Sequence, residues 1–184
     1  MKAFAVLPVM SFLVFFLGVC IGALFYPGWD ADVNTLSDLG RHGNPMSSIF
    51  FNGGCWLSGI ILAAGGVGKA RSEEGSDRFA GIALAVAGIG LFALGFATGD
   101  YSEIHDMTTY VIFISAIAAM ILATAADALR GDWFVVVSSI FILILMVIQG
   151  QFFHEGTEET ILIAGAALWS MVQIWKYGTE NDSS

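Results

Sequence analysis

The sequence predicts an all-α polytopic membrane protein, a bundle of six transmembrane helices with both termini in the cytoplasm. Of its 184 residues, 57% are hydrophobic and 12% are charged, and the mean hydropathy is +0.77. Soluble domains carry about 25% charged residues, and a single folded core of this size cannot bury so much apolar surface. A lipid bilayer is therefore the predicted environment, and the cell membrane is the predicted location.

Six apolar segments approach the length of a bilayer crossing, which is about 20 residues for a hydrocarbon core about 30 Å thick. The gaps between them hold glycine, proline or charged residues, which are typical of helix ends and loops. The predicted spans are 3–26, 46–68, 79–98, 106–127, 133–153 and 159–176. They form one domain over residues 1–178, and residues 179–184 form a short polar tail.

The first span follows Lys2 and could be mistaken for a secretory signal peptide. Its apolar run exceeds the roughly 7–15 residues of a signal sequence, and no small-residue cleavage site ends it. We therefore interpret it as a true span.

The second span begins after Pro45, a residue favoured at the first position of a helix. Only residues 129–132 separate the fourth span from the fifth, which predicts a tight helical hairpin.

Glycine is concentrated in the second and third spans. Small residues allow two membrane helices to approach closely, because no side chain separates their backbones. We expect these two helices to be central and tightly apposed within one chain, and a homodimer seam is the alternative. The glycines concerned are Gly53, Gly54, Gly59, Gly65, Gly66, Gly81, Gly88, Gly90 and Gly95.

The orientation follows from the distribution of basic residues. With six spans, one side of the membrane holds six of the seven Lys and Arg residues, and the other side holds Arg41 alone. The six are Lys2, Lys69, Arg71, Arg78, Arg130 and Lys176. Because basic loop residues mark the cytoplasmic face, both termini are predicted to be cytoplasmic.

This membrane orientation places all three histidines on the outer side, together with nine acidic residues. The acids are Asp30, Asp32, Asp38, Asp100, Glu103, Asp106, Glu155, Glu158 and Glu159. Imidazole and carboxylate are ligands of zinc and similar divalent metals, so His42, His105, His154 and Asp100 are a candidate metal site. These groups could equally be solvated loop residues and helix N-terminal acids. A third possibility is haem, with His105 and His154 as axial ligands.

The segment 29–44 leads into the second span and carries a helix-start pattern. Thr35 followed three residues later by Asp38 matches a capping box, and Leu36 and Leu39 lie at helical spacing. We expect a short capped turn that acts as a lid on the mouth of the bundle. Direct contact of this segment with a ligand is the alternative.

The sequence NTLSDLG (34–40), then FNG (51–53), then Gly99 and His105 resembles the domain of unknown function 998 family over most of the chain. The resemblance implies that Asn34, Ser37, Asp38, Asn52 and His105 are characteristic polar positions, and it implies no activity.

A fainter similarity is to the alkaline ceramidase-like membrane hydrolases, which set Ser, Asp and His at one end of a bundle. Those have seven spans and a histidine pair on the last, whereas 159–176 contains no histidine, so the similarity is only an analogy of mechanism.

Three functions are compatible with this pattern. The first is a binding module for a lipid head group or small ligand at the outer mouth. Its candidate contacts are Asn34, Ser37, Asp38, Asn52, Asp100 and His105. The second is a zinc-dependent lipid hydrolase using His42, His105, His154 and Asp100, in which Ser37 or Asp38 assists the attacking water. The third is a structural or assembly subunit.

Two classes of function are disfavoured. A net charge of −9 gives no basic surface for nucleic acid. No acidic or basic residue lies near the centre of a predicted span, which argues against a proton-coupled pump or a voltage sensor, because both need charge within the membrane.

Overall fold

The computed structural model describes residues 3–97, 100, 102–148 and 155–182. Over these residues the chain forms six α-helices and no strand, which confirms the predicted all-α class. The helices are α1 (Ala3–Phe25), α2 (Pro45–Ser72), α3 (Gly75–Leu94), α4 (Ser102–Arg130), α5 (Trp133–Ile148) and α6 (Glu155–Asp182). A short 3₁₀ helix, Leu36–Gly40, lies between α1 and α2.

Helices α1 to α4 are each long and apolar enough to cross a membrane, judged by length and composition within the described residues. Helix α5 is strongly apolar, with 16 described residues. These helices identify a membrane protein. The cell membrane as its location and the cytoplasmic position of both termini remain predictions.

The helices form a ring in sequence order. Each helix packs against the next, and α6 returns to pack against α1. We call the end of the ring that carries the start of α1 and the end of α6 the inner end, and the opposite end the outer end. The 3₁₀ helix contacts α1, α2 and α6 at the outer end. This arrangement leaves a central space that all six helices surround.

The interface between α2 and α3 is the most extensive in the ring, and glycine explains it. A Cβ atom added at Gly66 of α2 would lie 2.7 Å from the carbonyl oxygen of Gly81 in α3. One added at Gly88 of α3 would lie 2.8 Å from the carbonyl oxygen of Gly59. The prediction that these two helices are tightly apposed within one chain is confirmed, and the homodimer remains a prediction.

The turn between α2 and α3 is shorter than the sequence predicts. Helix α2 continues to Ser72 and α3 begins at Gly75, so the charged stretch expected to form a loop is mostly helical. The reason is that Lys69 and Asp77 face the interior and pair with each other, with 2.6 Å between Lys69 Nζ and Asp77 Oδ1. A buried ion pair repays the loss of hydration only with close, well-aligned geometry, and the ends of α2 and α3 hold these two side chains at that distance.

This pair belongs to an inner ion cluster of five residues: Lys69, Asp77, Asp127, Arg130 and Lys176. Arg130 Nη1 lies 2.7 Å from Asp77 Oδ2, and its Nη2 lies 2.6 Å from Asp127 Oδ1. Lys176 Nζ lies 2.6 Å from Asp127 Oδ1. The ion cluster therefore connects four helices at the inner end: α2, α3, α4 and α6. Three of the basic residues that set the predicted orientation thus form ion pairs with buried acids.

Candidate functional site

The 3₁₀ helix at the outer end is held together by the side chain of Asp38. Its Oδ2 accepts hydrogen bonds from the Thr35 amide at 3.0 Å and from Asn34 Nδ2 at 3.3 Å. Its Oδ1 lies 2.9 Å from Arg41 Nε. The hydrogen bond from the Thr35 amide to the Asp38 carboxylate is one of the two that define the predicted capping box. Asn34 and Asp38 therefore build the turn itself.

This turn, with its flanking residues 29–44, forms a lid that is packed onto the ring. Leu36 and Leu39 are buried against residues of α1 and α2 such as Phe15 and Phe51. Ser47 Oγ donates a hydrogen bond to the carbonyl of Leu39 at 2.9 Å. The burial of both leucines confirms the predicted amphipathic turn, in which residues three apart share one face.

Gly40, the last residue of the 3₁₀ helix, lies against Asn52 of α2. Asn52 Nδ2 donates to the carbonyl oxygen of Gly40 at 3.3 Å. A Cβ atom on Gly40 would lie 2.7 Å from Asn52 Oδ1, closer than real Cβ contacts allow. Asn52 thus fastens the lid to α2.

Truncating the Asp38 side chain tests this account of the lid. Asp38→Ala should destabilise the lid by about 0.5–2 kcal/mol, the range measured when a capping side chain is removed. Amide hydrogen exchange of residues 31–44 should accelerate accordingly, while exchange in α3 stays unchanged. Asp106→Ala, which removes an exposed acid of α4, is the matched control. Equal exchange in both variants would show that Asp38 does not hold the lid.

A cavity of about 100 Å³ lies beneath the lid, in the centre of the ring. Its outer end is lined by Ser37, His105 and Glu159, and its inner end by Trp169 and Ser170. All six helices contribute to the wall, which is otherwise mostly apolar. Representative wall residues are Phe15, Phe51, Leu91, Phe113, Met146 and Leu162.

The polar atoms that line this cavity are few. His105 Nδ1 lies 2.8 Å from the carbonyl oxygen of Ala97. Thr109, one helical turn deeper on α4, has a buried hydroxyl with no hydrogen-bond partner within the described residues. The buried indole Nε1 of Trp169 also lacks a partner there. Buried polar atoms are nearly always hydrogen-bonded in folded proteins, so both atoms are exceptions among the described residues.

The candidate metal ligands are brought together only in part. His42 Nδ1 lies 2.6 Å from Asp100 Oδ2, and the same oxygen accepts a hydrogen bond from the His42 amide at 2.9 Å. Both side chains are exposed. Across residues 3–97, 100, 102–148 and 155–182, no group of three or more potential ligand side chains could hold a metal ion. His154 lies outside the described residues, so the zinc and haem hypotheses remain predictions.

Thr109, Glu159 and Trp169 line the cavity and were not among the predicted site residues. Thr109 could have been found, since it lies four positions after His105 and therefore on the same face of α4. Glu159 was counted only as one of the outer acids, although its Oε2 accepts a hydrogen bond from the Leu36 amide at 2.8 Å. Trp169 lies near the inner end, and nothing in its local sequence distinguishes it from a packing residue.

Comparison with known proteins supplies one match. A family model described as "Protein of unknown function (DUF998)" matches residues 9–176. No curated protein and no solved structure matches the chain.

Proposed function

The chain belongs to the DUF998 family of proteins of unknown function, and from this premise we propose that it is a binding protein for an amphiphile. The ligand, a lipid or a smaller amphiphilic molecule, lies in the central cavity with its polar head at the outer mouth. The observation that carries the proposal is the cavity itself. Its apolar wall ends at three polar side chains, those of Ser37, His105 and Glu159.

The composition of the wall favours this class of ligand. Small-molecule sites are typically apolar clefts in which a few polar groups fix the orientation of the ligand. Here Ser37, His105 and Glu159 lie at the end of the cavity beneath the lid, and mostly apolar residues extend inward from it. A hydrocarbon tail matches the inner part, and a head group matches the mouth.

The predicted ligand contacts divide into two roles in this proposal. Ser37 and His105 line the cavity and contact the ligand directly. Asn34, Asp38 and Asn52 hold the lid in place through their hydrogen bonds. Asp100 holds the last part of the lid by binding His42. The whole set therefore serves one site, although only part of it touches the ligand.

A variant that fills the cavity tests the proposal. Ala116 lines the cavity on α4, so Ala116→Phe places a ring in the space that the ligand tail needs. We expect binding to weaken by at least about tenfold, since a tail excluded from an apolar site loses roughly 0.8 kcal/mol for each CH₂ left unburied. The probe is a lysophosphatidylcholine with a brominated acyl chain, and the readout is quenching of Trp169 fluorescence in nanodiscs.

Two controls make the result interpretable. Ile114→Phe adds a ring on the same helix at a side chain that is 67% exposed, so it should leave quenching unchanged. Trp169→Phe identifies the part of the quenching that comes from the cavity. Equal quenching in the wild type and in a folded Ala116→Phe protein would contradict the proposal, as would quenching that does not depend on Trp169.

A further inference from the structure

We infer that the mouth selects a cationic head group, that of a long-chain ammonium amphiphile, and that Glu159 provides the opposing charge. The inference rests on the proposed function, because it specifies the ligand of the same cavity. It follows from the position of Glu159, from the hydrogen-bonding capacity of its neighbours and from the charge around the mouth.

Glu159 is the acidic residue among those that line the cavity. Its Oε2 accepts the Leu36 amide hydrogen at 2.8 Å, which fixes the carboxylate between the lid and α6. A second hydrogen bond supports the same placement, since Thr157 Oγ1 lies 3.5 Å from the carbonyl oxygen of Ala31. A negative charge is thus held in place where the head group of the ligand would lie.

The neighbouring polar groups at the mouth also favour a head group that donates hydrogen bonds. A carbonyl oxygen can only accept, so the contact between His105 Nδ1 and the Ala97 oxygen requires the hydrogen to be on Nδ1. In the neutral ring Nε2 is then an acceptor. The Ser37 hydroxyl shares a hydrogen bond of 2.8 Å with the Thr35 hydroxyl. An ammonium group has three donors and no acceptor, so it complements these groups.

The distribution of Lys and Arg at the outer end favours a cationic over an anionic head group. Arg41 is the sole Lys or Arg in the chain segments 26–44, 95–105 and 149–159, and its Nε lies 2.9 Å from Asp38 Oδ1. A phosphate or carboxylate head group would therefore meet the negative charge of Glu159, while the one arginine of those segments is paired with Asp38. A cationic head group is attracted to Glu159 instead. Hydrogen bonds between an ammonium group and a carboxylate are charge-assisted and about twice as strong as neutral ones.

The position of Trp169 at the inner end of the cavity indicates the length of the alkyl chain. Trp169 is 5% exposed, and its buried Nε1 has no hydrogen-bond partner within the described residues. Trp169 follows Glu159 by ten residues, which is about 15 Å along a helix. That depth suits a long alkyl chain.

The experiment compares two probes that differ only in head group. Brominated dodecylamine and brominated dodecanoic acid, with bromine on the same carbon, are titrated into the full-length protein in phosphatidylcholine nanodiscs near neutral pH. The readout is the part of the tryptophan quenching that disappears in Trp169→Phe. We expect the amine to reach half-quenching at a concentration at least about tenfold below that of the acid.

Glu159→Gln identifies the residue responsible. The glutamine oxygen can still accept the Leu36 amide hydrogen, so the lid stays attached while the charge is lost. We expect the advantage of the amine to fall to within about twofold. Glu158→Gln is the matched control, since Glu158 carries the same charge one residue away and is not among the residues that line the cavity. It should retain the advantage.

The outcomes separate the two proposals. If both probes quench Trp169 but the acid binds as tightly as the amine, the cationic head group is wrong and the amphiphile-binding function stands. The same conclusion follows if the advantage survives in Glu159→Gln or disappears equally in Glu158→Gln. If neither probe gives quenching that depends on Trp169, both the function and the inference are overturned.

Discussion

Asp127→Asn is expected to lower the free energy of unfolding by about 3–5 kcal/mol, the largest effect that the structure predicts for a single isosteric change. The Asp127 side chain is fully buried. Lys176 Nζ and Arg130 Nη2 each lie 2.6 Å from its Oδ1, and Gln173 Nε2 donates to its Oδ2 at 3.2 Å. Asparagine keeps the volume and removes the charge, so the cluster loses an anion while Lys69 and Lys176 stay buried.

The measurement is reversible unfolding in mixed detergent micelles, with Asp132→Asn as the control. Asp132 also faces Arg130, but Asp132 Oδ2 lies 3.5 Å from Arg130 Nε and its side chain is 38% exposed. Exposed pairs contribute roughly 0–1 kcal/mol, so Asp132→Asn should be nearly neutral. If the two variants lose the same stability, the inner ion cluster does not hold the ring together.

A double variant separates repulsion between unpaired charges from loss of packing. Asp127→Leu combined with Lys176→Met removes one anion and one cation and leaves apolar side chains of similar size. Replacement of a buried ion pair by well-packed apolar residues is often neutral or stabilising. We therefore expect the double variant to unfold at a higher denaturant concentration than Asp127→Leu alone. A double variant that is less stable than Asp127→Leu would contradict this interpretation.

The fold was largely predictable from sequence because its strongest determinants are local. An apolar segment of membrane-spanning length has to form a helix, since lipid offers no partner for backbone groups. The lid was predictable for the same kind of reason, because Thr35 and Asp38 make their capping contact within one turn. The close approach of α2 and α3 followed from glycine spacing alone.

The inner ion cluster could not be predicted, because its members are far apart in sequence and look like ordinary loop charges. Asp127 and Lys176 are separated by 49 residues, and their pairing exists only after the ring has closed. The cavity has the same origin. Which residues face the centre depends on the rotation of each helix about its axis, and a span that is apolar on all sides gives no periodic signal of that rotation. Glu159 and Trp169 were therefore missed as cavity residues.

Gly88→Ala should lower the free energy of unfolding by about 1–3 kcal/mol, because overpacking of a close interface forces the two backbones apart. A Cβ atom at Gly88 would lie 2.8 Å from both Ala63 Cα and the Gly59 carbonyl oxygen. These are backbone atoms of α2 and cannot rotate away. The loss should be visible in the same unfolding assay.

Gly53→Ala is the matched control on α2, where a Cβ atom would meet nothing within 4 Å. Alanine is the better helix former by about 1 kcal/mol, so this variant should be neutral or slightly stabilised. Gly88→Ala should also weaken amphiphile binding, because α3 supplies cavity residues such as Leu84 and Leu91 and a shift of α3 moves that wall. If both alanines behave alike, close packing of α2 on α3 contributes nothing to stability, and the cavity wall does not depend on it.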